Sequence, residues 1–213
     1  MAPENLLSWS LVVPVKVLAR AKSRLVGLAD EDRTALVLAM AADTVAAALA
    51  CPAVGAVIAV SDDSAVRDEL GRLGAFVISD QPAAGLNAAF VFGARHAAAR
   101  WPGQGLAALT ADLPALAVAE LTAALNAASA VTQAFVADAA GTGTTLYTAG
   151  QAAAFCPRFG PRSSDQHRRA GAVELDLPGI SGLRRDVDTL ADLRIAASIG
   201  LGPRTAHILA RTG

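Results

Sequence analysis

Residues 11–25 read Leu11-Val12-Val13-Pro14-Val15-Lys16-Val17-Leu18-Ala19-Arg20-Ala21-Lys22-Ser23-Arg24-Leu25, and the fold is decided here. The opening residues, Leu11 to Val15, are continuously apolar, as in a short strand covered on both faces. Directly after them come Lys16 and Lys22, the only two lysines in the chain. A buried strand that delivers a cationic loop is where an α/β protein commonly holds an anionic ligand. Ammonium groups are compact charges on flexible stems, suited to following phosphate oxygens through a reaction. An Ala- and Arg-rich composition also makes lysine scarce by itself, so this loop marks a place before it marks a chemistry.

The pattern continues outward from that strand. Asp30 or Asp32 can cap a helix whose apolar positions Leu36, Met40, Val45 and Leu49 recur at helical spacing, stopped by Pro52. Val54–Val60 is a second buried strand, and Ser61-Asp62-Asp63-Ser64 caps a helix from Ala65 to Leu73. The reading then gives a strand at 75–79, a helix at 86–99, a strand at 106–110, a helix at 118–128 and a strand at 131–137. Strand and helix alternating at this spacing predict an α/β fold: a mostly parallel central sheet with helices on both faces. Beyond residue 138 the alternation fades into a short strand at 146–148, a helix at 165–171, strands at 172–175 and near Leu183, and helices at 190–199 and 203–210. No internal repeat or long linker divides the 213 residues, so one domain spans 1–213, with its core at about 11–202.

Composition narrows the function. A net charge of −1 supplies no global field for nucleic acid or a membrane surface, so neither is expected as a partner. Cys51 and Cys156 lie far apart without metal-ligand spacing, as buried thiols of a cytoplasmic protein do. The N-terminus lacks the basic and apolar regions of a signal peptide, and the apolar runs are too short or too interrupted for a membrane span, so a soluble cytoplasmic protein is expected. Oligomeric state leaves no mark in these patterns.

Several residues could carry chemistry. Asp112 follows an apolar strand directly, at the edge where α/β ligands bind. Asp186 and Asp188 are two apart on an extended segment, which places both side chains on one side of the chain. Three carboxylates converging with two lysines would form a hard-cation site that shares phosphate ligands, the usual arrangement for Mg²⁺. Taken singly, a strand-end turn explains Asp112 and a helix cap explains Asp188 equally well. The loops Gly141–Thr145 and Gly160–Ser163 combine Gly with hydroxyl residues, so each can hold a small anion through main-chain N–H groups, or serve only as a turn. Ser61-Asp62-Asp63 reads as a cap that could also touch a base or ribose. His96 reads as structural, and His167 reads either as a substrate contact or as an ordinary exposed helical residue. Dinucleotide, P-loop and Gly-x-Ser-x-Gly hydrolase motifs are all missing from the sequence.

Assembled in order, these pieces resemble the guanylyltransferases of deazaflavin coenzyme biosynthesis, which act on phosphoenolpyruvate or 2-phospho-L-lactate. The resemblance rests on Pro14-Val15-Lys16 with Ala21 to Leu25, Gly85-Leu86-Asn87, Ala111-Asp112-Leu113-Pro114, Gly141 to Thr145, Phe159-Gly160 to Ser163 with His167, and Asp186-Val187-Asp188-Thr189 with Asp192-Leu193. It implies a Rossmann-like nucleotidyltransferase fold, with GTP and a small phosphorylated three-carbon acid as substrates and Mg²⁺ as cofactor. It places Lys16, Lys22 and Arg24 near the triphosphate, and Gly85, Leu86 and Asn87 by the guanine or ribose. Asp112, Asp186 and Asp188 fall on the metal, with Thr145, Gly160 and Ser163 on the acceptor's phosphate and carboxylate. Thr144-Thr145 stands where many members of that family carry Thr-Asn. The competing readings are a cytidylyl- or molybdopterin-type transferase on the same fold, and a non-catalytic nucleotide-binding domain.

Overall fold

Alternation along the central strands creates two separate apolar faces. In β1 (Trp9–Pro14), Leu11 and Val13 point into one cluster and Val12 into the other. Val57 and Ala59 are divided in the same way from Ile58 and Val60 in β2 (Val54–Val60). So are Ala107 and Leu109 from Leu106 and Ala108 in β4 (Gly105–Leu109). Because both faces are buried, these strands read as continuous apolar runs. The computed structural model describes residues 7–16, 25, 29–81 and 83–212.

Among the described residues, seven strands form one sheet in the order β3-β2-β1-β4-β6-β5-β7, with β3 at Phe76–Ile78, β5 at Gln133–Ala137, β6 at Thr144–Ala149 and β7 at Val173–Glu174. Only β6 runs against its neighbours β4 and β5; the other pairings are parallel. Helices α1 (Asp30–Ala50), α2 (Ser64–Leu73) and α4 (Val118–Ala128) cover one face, and α3 (Leu86–Arg100) covers the other. The mostly parallel sheet with helices on both faces is therefore observed.

The late chain adds α5 (Ser163–Arg169), α6 (Ser181–Arg184), α7 (Leu190–Ile199) and α8 (Pro203–Thr212). Asp43, buried on α1, accepts from the Arg204 and Thr205 N–H groups at 3.2 and 2.7 Å, so a neighbouring helix caps the start of α8. By length and composition α1 could cross a membrane, but its apolar side packs on the sheet and on α8.

Some expectations need correcting. The strand expected near Leu183 is helix α6, because Leu183 is buried by a helical turn whose N–H groups are capped from α4. Asp30 and Asp32 do not cap α1; they lie in its first turn behind Ala29, where they favour the helix dipole. Asp63, in contrast, does cap α2, accepting from the Ala65 and Val66 N–H groups.

Candidate active site

The chain begins at β1, builds β2 and β3 to one side, then returns past β1 to β4. Strand order therefore reverses between β1 and β4, and in open α/β sheets ligands bind in the crevice beyond the carboxyl ends at such a point. Lys16 and Asp112 follow the carboxyl ends of β1 and β4, the two strands that meet at this point. Parallel pairing of Val12 with Ala108 carries both past the strand ends at about the same level. Lys16 is exposed there, whereas Lys22 and Arg24 lie outside the described residues. Because β6 is reversed, its first residues, Thr144 and Thr145, emerge at the same edge.

Asp112 sits on a tethered turn. The buried Thr44 hydroxyl on α1 accepts from the Leu113 N–H at 3.1 Å and lies 3.3 Å from the Ala111 carbonyl, so it grips the backbone on either side of Asp112. The Val187 N–H donates to the Asp112 carbonyl at 3.0 Å, bringing the Asp186–Asp188 segment alongside. That segment is anchored at both ends. Upstream, the Glu120 carboxylate accepts from the Gly182 and Leu183 N–H groups at 2.9 and 2.8 Å. Gly182 is required there, since a Cβ would come within 2.0 Å of the Ala115 carbonyl oxygen. Downstream, Thr189 and Asp192 form a capping box at the start of α7. Burial opposes ionisation of Asp192, but bonds from the Thr189 hydroxyl and N–H and from the Asp188 N–H, with the nearby Arg185 charge, hold its carboxyl below the usual range.

Val187 is buried, and the side chains of Asp186 and Asp188 flank it, both partly exposed. Among the described residues no group of three or more His, Cys, Asp or Glu side chains is arranged to hold a metal ion. The expected trio of Asp112, Asp186 and Asp188 is thus brought near by backbone contact without forming a closed cage. Mg²⁺ commonly takes one or two carboxylates and completes its shell with water and substrate phosphates, and the hard oxygen donors here fit that use.

A buried network around His167 on α5 holds the first residues of β6. The His167 ring is fully buried, stacked on Tyr147 at a centroid distance of 4.7 Å. The Arg158 N–H donates to Nε2 at 2.9 Å, so the proton resides on Nδ1, which donates to the Thr144 hydroxyl at 3.0 Å. The Ser163 hydroxyl also donates to Thr144 at 3.0 Å. Burial, reinforced by the Arg158 charge, lowers the ring to about 4, leaving it neutral. His167 is therefore not an exposed helical residue; with both ring nitrogens bonded inside the protein, it pins the Phe159–Ser163 loop to β6.

The glycine-rich loops are used differently from expectation. The Thr142 and Gly143 N–H groups already donate to the Asp138 carboxylate at 2.9 and 2.8 Å, so an internal anion fills that main-chain cradle. Ser164 ties the same loop to α5 by donating to the Gly141 carbonyl at 2.8 Å, with its own N–H on the Thr142 carbonyl. The Ser163 N–H is committed to the Gly160 carbonyl. Asn87 clamps Phe159, donating to its carbonyl and accepting from its N–H, each at 2.8 Å. That clamp occupies the carbonyl oxygen of the Asn87 amide and one of its protons, which leaves mainly the backbone of Gly85 and Leu86 to face a nucleotide. Gly85, with φ of 97°, caps α3 in a conformation that suits glycine.

Elsewhere, Asp62 accepts from the Asp80 N–H at 3.0 Å, and exposed His96 contacts the Phe92 carbonyl on its own helix. Thr44, Glu120 and Asp138 were missed from sequence. Each is an ordinary polar residue whose partner is set by the fold, and Thr44 and Glu120 have partners more than sixty positions away.

Sheet order, the single reversed strand and the cation-and-carboxylate edge define a fold of the nucleotidyltransferase class. The chain is similar to a solved nucleotidyl transferase from Methanothermobacter, with a TM-score of 0.56 and 18% identity, covering 90% of this chain and 97% of that one. It is also similar to 4-diphosphocytidyl-2C-methyl-D-erythritol synthase, with a TM-score of 0.62 and 10% identity over 91% of this chain and 99% of that one. At such identities the likeness concerns the fold alone. A family profile described as "Guanylyl transferase CofC like" matches residues 9–168, and the chain belongs to this family. It is 54% identical over 205 residues to the phosphoenolpyruvate guanylyltransferase of Thermomonospora curvata, covering 96% of this chain and 90% of the relative. Its likeness to the Streptomyces coelicolor protein of the same name is 53% over 206 residues, covering 96% and 97%.

Proposed function

We propose that this protein transfers GMP from GTP to the phosphate of phosphoenolpyruvate, releasing pyrophosphate, as a cytoplasmic step of deazaflavin coenzyme synthesis. The observation that carries this reading is the crevice between β1 and β4. There Lys16 follows the carboxyl end of β1 and the Asp112 turn follows that of β4, and the Asp186–Asp188 segment is bonded to that turn through Val187. The names of relatives at 53–54% identity supply the base and the acceptor.

In this reading an oxygen of the acceptor phosphate attacks the α-phosphorus of GTP in line. A new P–O bond forms, the bond to the bridging oxygen breaks, and pyrophosphate leaves with that electron pair. The nucleophile is ionised at neutral pH and needs no general base, in keeping with a buried, neutral His167 that is committed to structure. Catalysis then lies in positioning and charge neutralisation. Lys16, with Lys22 and Arg24, holds the triphosphate, and Gly85, Leu86 and Asn87 lie by the guanine or ribose. Thr145 and Gly160 lie by the acceptor, and Ser163, whose N–H and hydroxyl are committed to Gly160 and Thr144, shapes the loop beside it. Asp112, Asp186 and Asp188 would hold Mg²⁺, which supplies neutralisation of the phosphate charge. Pyrophosphate release with GTP, CTP and ATP in parallel, each with phosphoenolpyruvate and Mg²⁺, tests the base. Release with GTP is expected, and a preference for CTP would move the protein to the cytidylyl reading.

A further inference from the structure

At the mouth of the proposed acceptor site, β6 contains a bulge. Val136 pairs with Leu146, yet Ala137 pairs with Thr144, which leaves Thr145 as the extra residue. A bulge re-aims side chains, and bulges are common beside active sites. Thr144 and Thr145 consequently both serve the face that holds Tyr147 and His167: Thr144 through its bond to His167, and Thr145 by its spacing from Tyr147. The Thr144 hydroxyl is engaged, accepting from His167 and from Ser163. The Thr145 hydroxyl is not. Its oxygen is buried and has no hydrogen-bond partner among the described residues, and the residue is only 1% exposed.

Directly across the ladder stands Thr110. Antiparallel pairing of Leu109 with Leu146 continues through the Thr110 N–H, which donates to the Thr145 carbonyl at 3.0 Å. Residues opposite each other on an antiparallel pair project to the same face. Spacing from Leu106 and Ala108 gives the same result, since both lie in the cluster with Tyr147. The Thr110 hydroxyl is likewise buried with no partner among the described residues. Two hydroxyls on one face, that of Thr110 lying two residues before Asp112, thus both lack a partner among the described residues. A chain that needed only shape could place Val at both positions, because burying an unsatisfied hydroxyl is unfavourable.

We propose that Thr110 is a substrate-binding residue, its hydroxyl acting with that of Thr145 to donate to an anionic oxygen of the acceptor. The inference rests on the functional reading above and adds a residue that the sequence did not single out. The test uses Thr110→Val, which keeps the shape and the backbone bond, and Thr110→Ser, which keeps the hydroxyl. Thr110→Val is expected to raise the KM for phosphoenolpyruvate about tenfold or more, the scale of a lost bond to a charged group, with the KM for GTP unchanged. Its melting temperature should equal or exceed that of the wild type, and Thr110→Ser should restore the acceptor KM to within a few-fold. Inhibition by inorganic phosphate and by oxalate, compared between wild type and Thr110→Val, reports which anionic group is met; weakening of either supports the assignment. An unchanged acceptor KM, an equal rise in both KM values, or a clear fall in melting temperature overturns it. Wild-type protein that transfers no GMP to phosphoenolpyruvate overturns the functional reading and this inference with it, whereas active wild type with an indifferent Thr110→Val overturns the inference alone.

Discussion

Acidifying the protein should weaken it through one side chain, His167. Burial, then the Arg158 charge, takes the ring from its ordinary 6.5 to about 4 in the folded chain. Between those values the unfolded chain binds a proton that the folded chain refuses, so stability falls as pH drops through that window. Protonation would also place a proton on Nε2 against the Arg158 N–H, breaking the bond that holds the start of the Phe159–Ser163 loop. Going from pH 7.5 to 5.5, the linkage relation gives a loss of roughly 1.3 kcal/mol from this ring alone. Urea denaturation at both pH values, on wild type and on His167→Gln, isolates the contribution, since the other titrating groups are common to both proteins. Wild type should lose roughly 1.3 kcal/mol more than the variant across the interval. Equal losses would refute the reasoning. A titration midpoint near 6.5 for the His167 ring by NMR would refute it too, even if the variant failed to fold.

Other substitutions separate scaffold from chemistry. Asp43→Ala removes the acceptor for the Arg204 and Thr205 N–H groups and should cost about 1–3 kcal/mol, with faster amide exchange confined to α8; unchanged exchange there would show that α8 is held by its apolar contacts. Glu120→Ala should release α6 and the carboxylate segment behind it, lowering kcat together with stability, and a loss of stability alone would mean that the segment keeps its position without Glu120. Asp188→Asn should abolish most GMP transfer with an unchanged circular dichroism spectrum; near-normal turnover would remove Asp188 from the metal site.

Strands β1, β2 and β4 were legible because sheet faces buried on both sides demand continuous apolar runs, and Val54–Val60 matched its expected boundaries. Reversal of β6 was not legible, since a six-residue strand carries no mark of its direction. Leu183 misled because a lone buried Leu among polar neighbours fits a strand or a single helical turn equally, and the arbiter is Glu120 on a distant helix. For the site, Asp112 and the Asp186–Asp188 pair stood out by position, while the supports that place them did not. Thr44 looks like any helical Thr until the fold sets it against the Ala111–Leu113 turn. The Gly141–Thr145 loop looked like an anion cradle, and it is one, filled by Asp138 five residues or fewer away.

The central claim is GMP transfer to a three-carbon phosphorylated acid, and mass analysis of the product tests it most directly. Protein incubated with GTP and Mg²⁺, with phosphoenolpyruvate and 2-phospho-L-lactate supplied separately, should yield the GMP adduct of phosphoenolpyruvate together with pyrophosphate. Consumption of neither acceptor while GTP stays intact would contradict the account, and an adduct formed only from 2-phospho-L-lactate would contradict its choice of acceptor.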